Sequence, residues 1–177
     1  AISVGVIRLM STLRPMAGDT SLERQQELLA GATPEQLAFW HWQLSWLKTA
    51  RTSQLPPDDE AWTEYGVRAG RGAGKTRTGA EWLGRTAWEG PDGLPYYAVA
   101  PTQRDVRFVC FEGQSGLLNI IPPELIEQYV SSDLYLRLKN GAIIYGFSAE
   151  KPDRLRGPQG AGAWFDEVAA WGVNAED

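Results

Sequence analysis

The apolar positions fall into short blocks whose spacing changes along the chain. Leu37, Trp40, Leu44 and Leu47 recur at helical spacing, and Phe39, Trp42 and Trp46 widen that surface. Thr33-Pro34-Glu35-Gln36 opens this helix, with Pro34 at the first helical position. Thr20-Ser21-Leu22-Glu23 has the form of a capping box and predicts an earlier helix to about Ala30, ended by Gly31. Residues 1–18 carry no amphipathic pattern and read as a loose arm, with Met10 a candidate start. After the polar, Pro-rich connection at 51–61, Trp62 to Arg68 is expected to be a strand, although only Trp62, Tyr65 and Val67 are strong β-formers. A helix follows from Gly74 to about Trp88, with Ala80, Leu83 and Ala87 on one face. Tyr96 to Ala100 is an unbroken apolar run closed by Pro101, the pattern of a buried strand. Thr102 and Asp105 read as the N-cap and third residue of a helix to about Gly116. Pro122-Pro123 introduce a short helix to about Tyr129. Leu134 to Leu138 and Ala142 to Phe147 are two strands, and Asn140-Gly141 between them marks a hairpin. A polar, Gly-rich loop at 149–162 leads to the last strand, Ala163-Trp164-Phe165.

Strands alternating with helices predict an α/β domain of three layers, with a mostly parallel sheet and an added antiparallel hairpin. With 177 residues, 43% of them hydrophobic, the chain is long enough for one domain with a real core. Its net charge of −5 excludes a uniformly basic nucleic-acid coat but leaves room for a local DNA-contacting patch. The single Cys110 excludes an internal disulfide framework and a Cys-based zinc site, and it reads as a small buried apolar residue. His41 reads as a packing or surface residue, because no acid is placed beside it. No apolar stretch has the length of a membrane span, and Arg8 interrupts the early apolar residues where a secretory signal would need them. A soluble, intracellular protein without membrane contact is the expectation.

The chemistry concentrates at Ala69-Gly70-Arg71-Gly72-Ala73-Gly74-Lys75-Thr76. A Gly-rich turn ending in Gly-Lys-Thr lets backbone N–H groups of residues 71–76 close around phosphate oxygens. Lys75 then reaches the β- and γ-phosphates of ATP, and the Thr76 hydroxyl ligates Mg²⁺. A helix starting there aims its N-terminus at the same anion. The first Gly of the G-x-x-x-x-G-K-[ST] pattern is replaced by Ala69. Far downstream, Ala163-Trp164-Phe165-Asp166-Glu167 is an apolar run ending in two carboxylates. Asp166 at the strand tip suits a metal-side contact, and Glu167 suits orientation of an attacking water. The competing reading is a Gly-rich surface turn and an ordinary acidic strand end.

Four blocks together resemble the large terminase subunit of tailed bacteriophages, the DNA-packaging motor: residues 50–57, Gly70 to Arg77, Ala100-Pro101-Thr102, and Leu155-Arg156-Gly157 leading to residues 164–171. The resemblance spans residues 35–172. It implies a P-loop NTPase fold of the additional-strand, catalytic-Glu type, in which 19–177 is an incomplete ATPase domain lacking the family's C-terminal nuclease domain. It implies ATP and Mg²⁺ as cofactors, with Gln54 reading the adenine edge, Gly72, Ala73 and Gly74 around the phosphates, and Arg71 lying against the phosphates or supporting the loop. Lys75, Thr76 and Asp166 keep the roles above, and Glu167 is the catalytic carboxylate. Arg156 is implied as an arginine finger acting on a neighbouring subunit, with a structural loop arginine or a DNA contact as alternatives. Arg51 and Gln54 as solvated loop residues are the alternative for that segment. The implied partners are double-stranded DNA, the portal protein, the small terminase subunit and further copies in a ring on the portal, within the cytoplasm of a bacterial host. Two other functions remain open at this level: another nucleic-acid-stimulated P-loop ATPase such as a helicase, and a nucleotide-binding assembly module without turnover.

Overall fold

A computed structural model describes residues 29–56, 63–90, 93–155 and 159–171. The arm at 1–18, all but the end of the helix expected from Thr20, and Trp62 lie outside the described residues.

Helix α1 spans Pro34–Thr49. Its start follows the sequence signal. The Gln36 N–H donates to Thr33 Oγ1 at 3.2 Å, and the Thr33 N–H donates to Gln36 Oε1 at 2.9 Å. Such a reciprocal cap contributes about 1 kcal/mol. The buried face is not the expected one: Phe39, Trp42, Gln43 and Trp46 are buried, whereas Leu37, Leu44 and Leu47 are 41, 48 and 43% exposed. Both stripes have helical spacing. The aromatic stripe offers more area, and its indoles find polar and cationic partners on the next helix.

That helix, α2, spans Lys75–Glu89, and Ala80, Leu83 and Ala87 are buried along it as expected. The contact between α1 and α2 is built around Glu81, which is fully buried. Its carboxylate accepts from Trp42 Nε1 at 2.8 Å, Arg85 Nη1 at 3.0 Å and Arg77 Nε at 2.8 Å. The Arg85 guanidinium lies 5.6 and 5.4 Å from the ring centroids of Trp42 and Trp46. Burial pushes the Glu81 carboxyl up and the charges of Arg85 and Arg77 oppose it, while burial brings Arg85 down to about 10 against the pull of Glu81. The donors directed at Glu81 serve its ionised form.

The sheet has five strands in the order β2-β3-β4-β1-β5. They are β1 (Tyr96–Ala100), β2 (Ile126–Val130), β3 (Tyr135–Leu138), β4 (Ile143–Ser148) and β5 (Gly162–Phe165). The central β1 runs parallel to β4 and β5, β3 is antiparallel to β4, and β2 is antiparallel to β3. The sheet is therefore mixed rather than mostly parallel. The difference comes from Ile126–Val130, expected at the end of a short helix. Only Pro123–Leu125 make a single turn, after which the segment pairs with β3. A lone β-branched and aromatic run has little intrinsic preference, and a waiting edge decides it.

One side of the sheet carries the core. Tyr96, Ala98 and Ala100 of β1 join Leu136, Leu138, Ile144 and Trp164 from their neighbours, and α1, α2 and the segment 106–121 contribute to the same cluster. The opposite side presents Tyr97, Tyr145, Phe147 and Phe165, with the Tyr97 and Phe147 rings 5.5 Å apart edge to face. Among the described residues the helices thus form one layer against one face, not the two layers of the expected three-layer stack. The helix expected at Thr102 begins with its cap, the Asp105 N–H donating to Thr102 Oγ1 at 3.1 Å. After Gln103–Asp105 it widens into i→i+5 bonding over Val106–Phe111, and it ends there rather than near Gly116. The strand expected to reach Arg68 is absent: residues 63–70 are irregular, and no strand pairs with the outer edge of β5 among the described residues. Strand geometry exists only through a ladder partner, and this segment has none.

Candidate functional site

The Gly70–Gly74 turn is made by two left-handed glycines, Gly72 at φ 74° and Gly74 at φ 79°. Gly74 also caps α2 without offering a side-chain oxygen. The first-turn N–H groups, which have no partner within a helix, are left facing the loop. Lys75 begins the helix and folds back: its Nζ donates to Ala69 O at 3.2 Å and to Gly70 O at 3.4 Å.

The loop is brought to β5 by a close approach at Gly79. A Cβ there would stand 2.1 Å from Trp164 Nε1, so only glycine lets α2 lie on that indole. The result is that Thr76 Oγ1 comes within 3.3 Å of Asp166 Oδ2, across 90 residues of sequence. Asp166 is itself fixed on both sides. Its N–H donates to Val99 O at 2.8 Å, extending the ladder one residue past β5, and its carbonyl accepts from Trp171 Nε1 at 3.0 Å. Asp166 is 4% exposed. Burial raises its carboxyl above the usual range, the Thr76 hydroxyl opposes this, and the neighbouring Glu167 charge adds to it.

Glu167 turns the chain sharply. It is a non-glycine residue in the left-handed region, φ 47° and ψ 45°, a conformation that costs on the order of 1 kcal/mol. The turn sends its carboxylate to the loop, where Oε1 lies 3.7 Å from Lys75 Nζ. A cleft of about 780 Å³ opens beside these groups, walled by residues 63–69, the start of α2 and residues 163–169.

The donor set suits Mg²⁺ held jointly with phosphate. Thr76 and Asp166 supply two adjacent oxygens, and Mg²⁺ typically takes one or two protein oxygens, with water and substrate phosphates completing its shell. Among the described residues no group of three or more His, Cys, Asp or Glu is placed to cage a metal alone.

The structure thus gathers Lys75, Thr76, Asp166 and Glu167. Gly72, Ala73 and Gly74 form the turn, and Arg71 is exposed on it. Arg156 lies outside the described residues. Gln54 is near the site, with its side chain turned toward the loop. It is 8% exposed. Its Nε2 donates to Thr78 Oγ1 at 3.0 Å and to Gly74 O at 3.4 Å, and its Oε1 accepts from the Arg51 N–H at 3.1 Å. Sequence reasoning missed Thr78, Gly79, Trp164 and Trp171 as parts of the site's frame. Gly79 alone left a signal, as a glycine inside an otherwise good helix pattern.

A glycine turn feeding a helix, met by an Asp-Glu pair from the end of a parallel strand, defines an α/β protein compatible with the P-loop class. The chain belongs to the family of terminase large subunits, T4likevirus-type, N-terminal part, whose model matches residues 67–176, more than half of the chain. Membership connects it with phage DNA packaging. The matched span begins at Val67, so α1 and the Arg51–Gln54 turn lie outside it. No curated protein and no solved structure matches the chain. Among the described residues no helix is long and apolar enough to cross a membrane.

Proposed function

We propose that this chain binds and hydrolyses ATP as the motor part of a DNA-packaging terminase, working on double-stranded DNA with the portal protein, the small terminase subunit and further copies of itself in a ring. The observation that carries the reading is the 3.3 Å approach of Thr76 Oγ1 to Asp166 Oδ2, with Lys75 Nζ 3.7 Å from Glu167 Oε1 beside it. Two segments far apart in sequence converge on the set of groups that phosphoryl transfer requires.

In this reading the loop amides of residues 71–76 and the Lys75 ammonium hold the triphosphate. Lys75 exchanges the Ala69 and Gly70 carbonyls for phosphate oxygens, and its departure frees Glu167. Glu167, 56% exposed at its side chain, then accepts a proton from the attacking water. Thr76 and Asp166 would hold Mg²⁺, which supplies charge neutralisation at the phosphates. Arg71 lines the phosphate side of the loop, and Arg156 completes the charge balance on a neighbouring subunit's nucleotide.

The test is ATP binding and steady-state phosphate release, in wild type and in Lys75→Ala. The reading expects the substitution to weaken binding or turnover by a factor corresponding to about 2–4 kcal/mol. Unchanged affinity and turnover would sink it. Wild-type binding without any turnover, with DNA and portal supplied, would leave a nucleotide-binding assembly module instead.

A further inference from the structure

We propose that Gln54 is a positioning residue for the phosphate loop, acting with Arg51 and Thr78 from beneath it, and not a reader of the nucleotide base. The inference rests on the phosphate-binding reading of the loop and adds the device that holds the loop in shape.

Three observations meet at this point. First, both donors of the Gln54 amide are engaged inside the protein. Its two N–H groups face the Thr78 hydroxyl and the Gly74 carbonyl, and its oxygen takes the Arg51 N–H. A primary amide has two donors and one carbonyl oxygen, so no donor is left to recognise a base. Second, the contacts converge on the loop's last turn. Arg51 Nη2 donates to Ala73 O, while Thr78 Oγ1 donates to Gly74 O at 3.0 Å and accepts from Gln54. The carbonyls of Ala73 and Gly74 are thereby held down. Consecutive peptide groups fixed this way aim the N–H groups on their other side toward the phosphate face. Third, the fit is close. A Cβ on Gly74 would stand 2.7 Å from Gln54 Nε2 and 3.2 Å from Arg51 Nη2. Gly74 is needed both for its positive φ and because the clamp occupies the space a side chain would take.

The clamp sits on the short turn Thr52–Gln54, which follows directly from α1 through Ala50 and Arg51. The aromatic helix α1 is thus tied to the loop at two places, through this turn and through Glu81 on α2. A base reader and a loop clamp make opposite demands on ligand selectivity. A reader discriminates ATP from GTP and is irrelevant to inorganic triphosphate. A clamp affects all three alike, because it acts on the phosphate cradle they share.

The experiment measures Mg²⁺-dependent binding of ATP, GTP and inorganic triphosphate to wild type, Gln54→Ala, Thr78→Val, Thr78→Ser and the Gln54→Ala/Thr78→Val pair, with urea unfolding as a check on the fold. Loss of a buried hydrogen bond to the loop is expected to lower affinity about tenfold. The same factor should apply to all three ligands in Gln54→Ala and in Thr78→Val. Thr78→Ser should restore affinity, and the double variant should lose little more than either single one. Arg51→Ala, at an exposed position, should reproduce a smaller uniform loss if Gln54→Ala fails to fold. A loss confined to ATP, with GTP and triphosphate unchanged, would overturn the proposal and make Gln54 a base reader. Unchanged binding of all three by Gln54→Ala would overturn it as well, leaving the phosphate loop reading intact. Failure of the wild type to bind inorganic triphosphate or ATP at all would overturn that reading and this proposal together.

Discussion

Gly79→Ala is the substitution for which local and tertiary physics predict opposite signs. In an exposed helix interior, Ala in place of Gly gains about 1 kcal/mol. Here the new Cβ would stand 2.1 Å from Trp164 Nε1 and 2.4 Å from its Cδ1 and Cε2. Carbon contacts are comfortable only beyond about 3.5 Å. The clashing atoms belong to the five-membered ring of a 7% exposed indole, so a small end-group rotation cannot relieve them. Either the indole leaves its rotamer or α2 withdraws from β5 by about 1 Å or more. Overpacking of this kind costs about 1–3 kcal/mol. Contacts more than 1 Å too short put the cost in the upper part of that range, about 2–3 kcal/mol, so the expected net loss after the propensity gain is about 1–2 kcal/mol. Urea unfolding followed by tryptophan fluorescence measures it, with a lower midpoint at unchanged slope as the expected signature. A second consequence is functional. Withdrawal of α2 lengthens the 3.3 Å approach of Thr76 to Asp166, so Mg²⁺-ATP affinity should fall about tenfold even where the protein is fully folded. A stability equal to or above wild type, with unchanged affinity, would refute the claim that this glycine sets the distance between loop and strand.

Glu81→Ala strips the acceptor from Trp42, Arg77 and Arg85 and leaves the buried Arg85 guanidinium only the more distant charge of Glu89, so a loss of about 3 kcal/mol is expected in the same unfolding assay; a loss below about 1 kcal/mol would mean that the cluster does not hold α1 on α2. Asp166→Asn is expected to stabilise the metal-free protein while lowering Mg²⁺-ATP affinity at least tenfold. The sign follows from burial: the folded state holds the Asp166 proton more tightly than the unfolded chain, so this group's contribution is greatest below the ordinary aspartate value of 3.8 and declines as pH rises through the raised folded value. A melting temperature at pH 7 to 8 that is unchanged or lower in Asp166→Asn would contradict it. Glu167→Gln keeps the shape and removes the charge, so ATP should bind nearly as in wild type while hydrolysis in the packaging complex falls at least about a hundredfold; wild-type turnover would strike Glu167 from the chemistry.

Much of this protein is local in origin, and that part was legible in the chain. The Thr33 cap with Pro34, the apolar run Tyr96–Ala100, the Asn140-Gly141 hairpin and the Gly-Lys-Thr turn are each set by a few neighbouring residues. Neighbours in sequence are neighbours in space, so stereochemistry alone decides them. The pairing of Thr76 with Asp166 was implied by residue types, but its distance was not.

Elsewhere the outcome depended on partners distant in sequence. Two stripes on α1 had helical spacing, and the stripe that found Glu81 and Arg85 was buried. Ile126–Val130 became a strand because β3 offered an edge, while residues 63–70 stayed irregular beside the outer edge of β5. Gln54 carries the same amide wherever its chain runs. The partners that amide finds on the loop, Thr78 and Gly74, are brought to it only by the packing of the Thr52–Gln54 turn against α2. Local stereochemistry offers each segment a few conformations of similar energy, and long-range burial and hydrogen bonding choose among them.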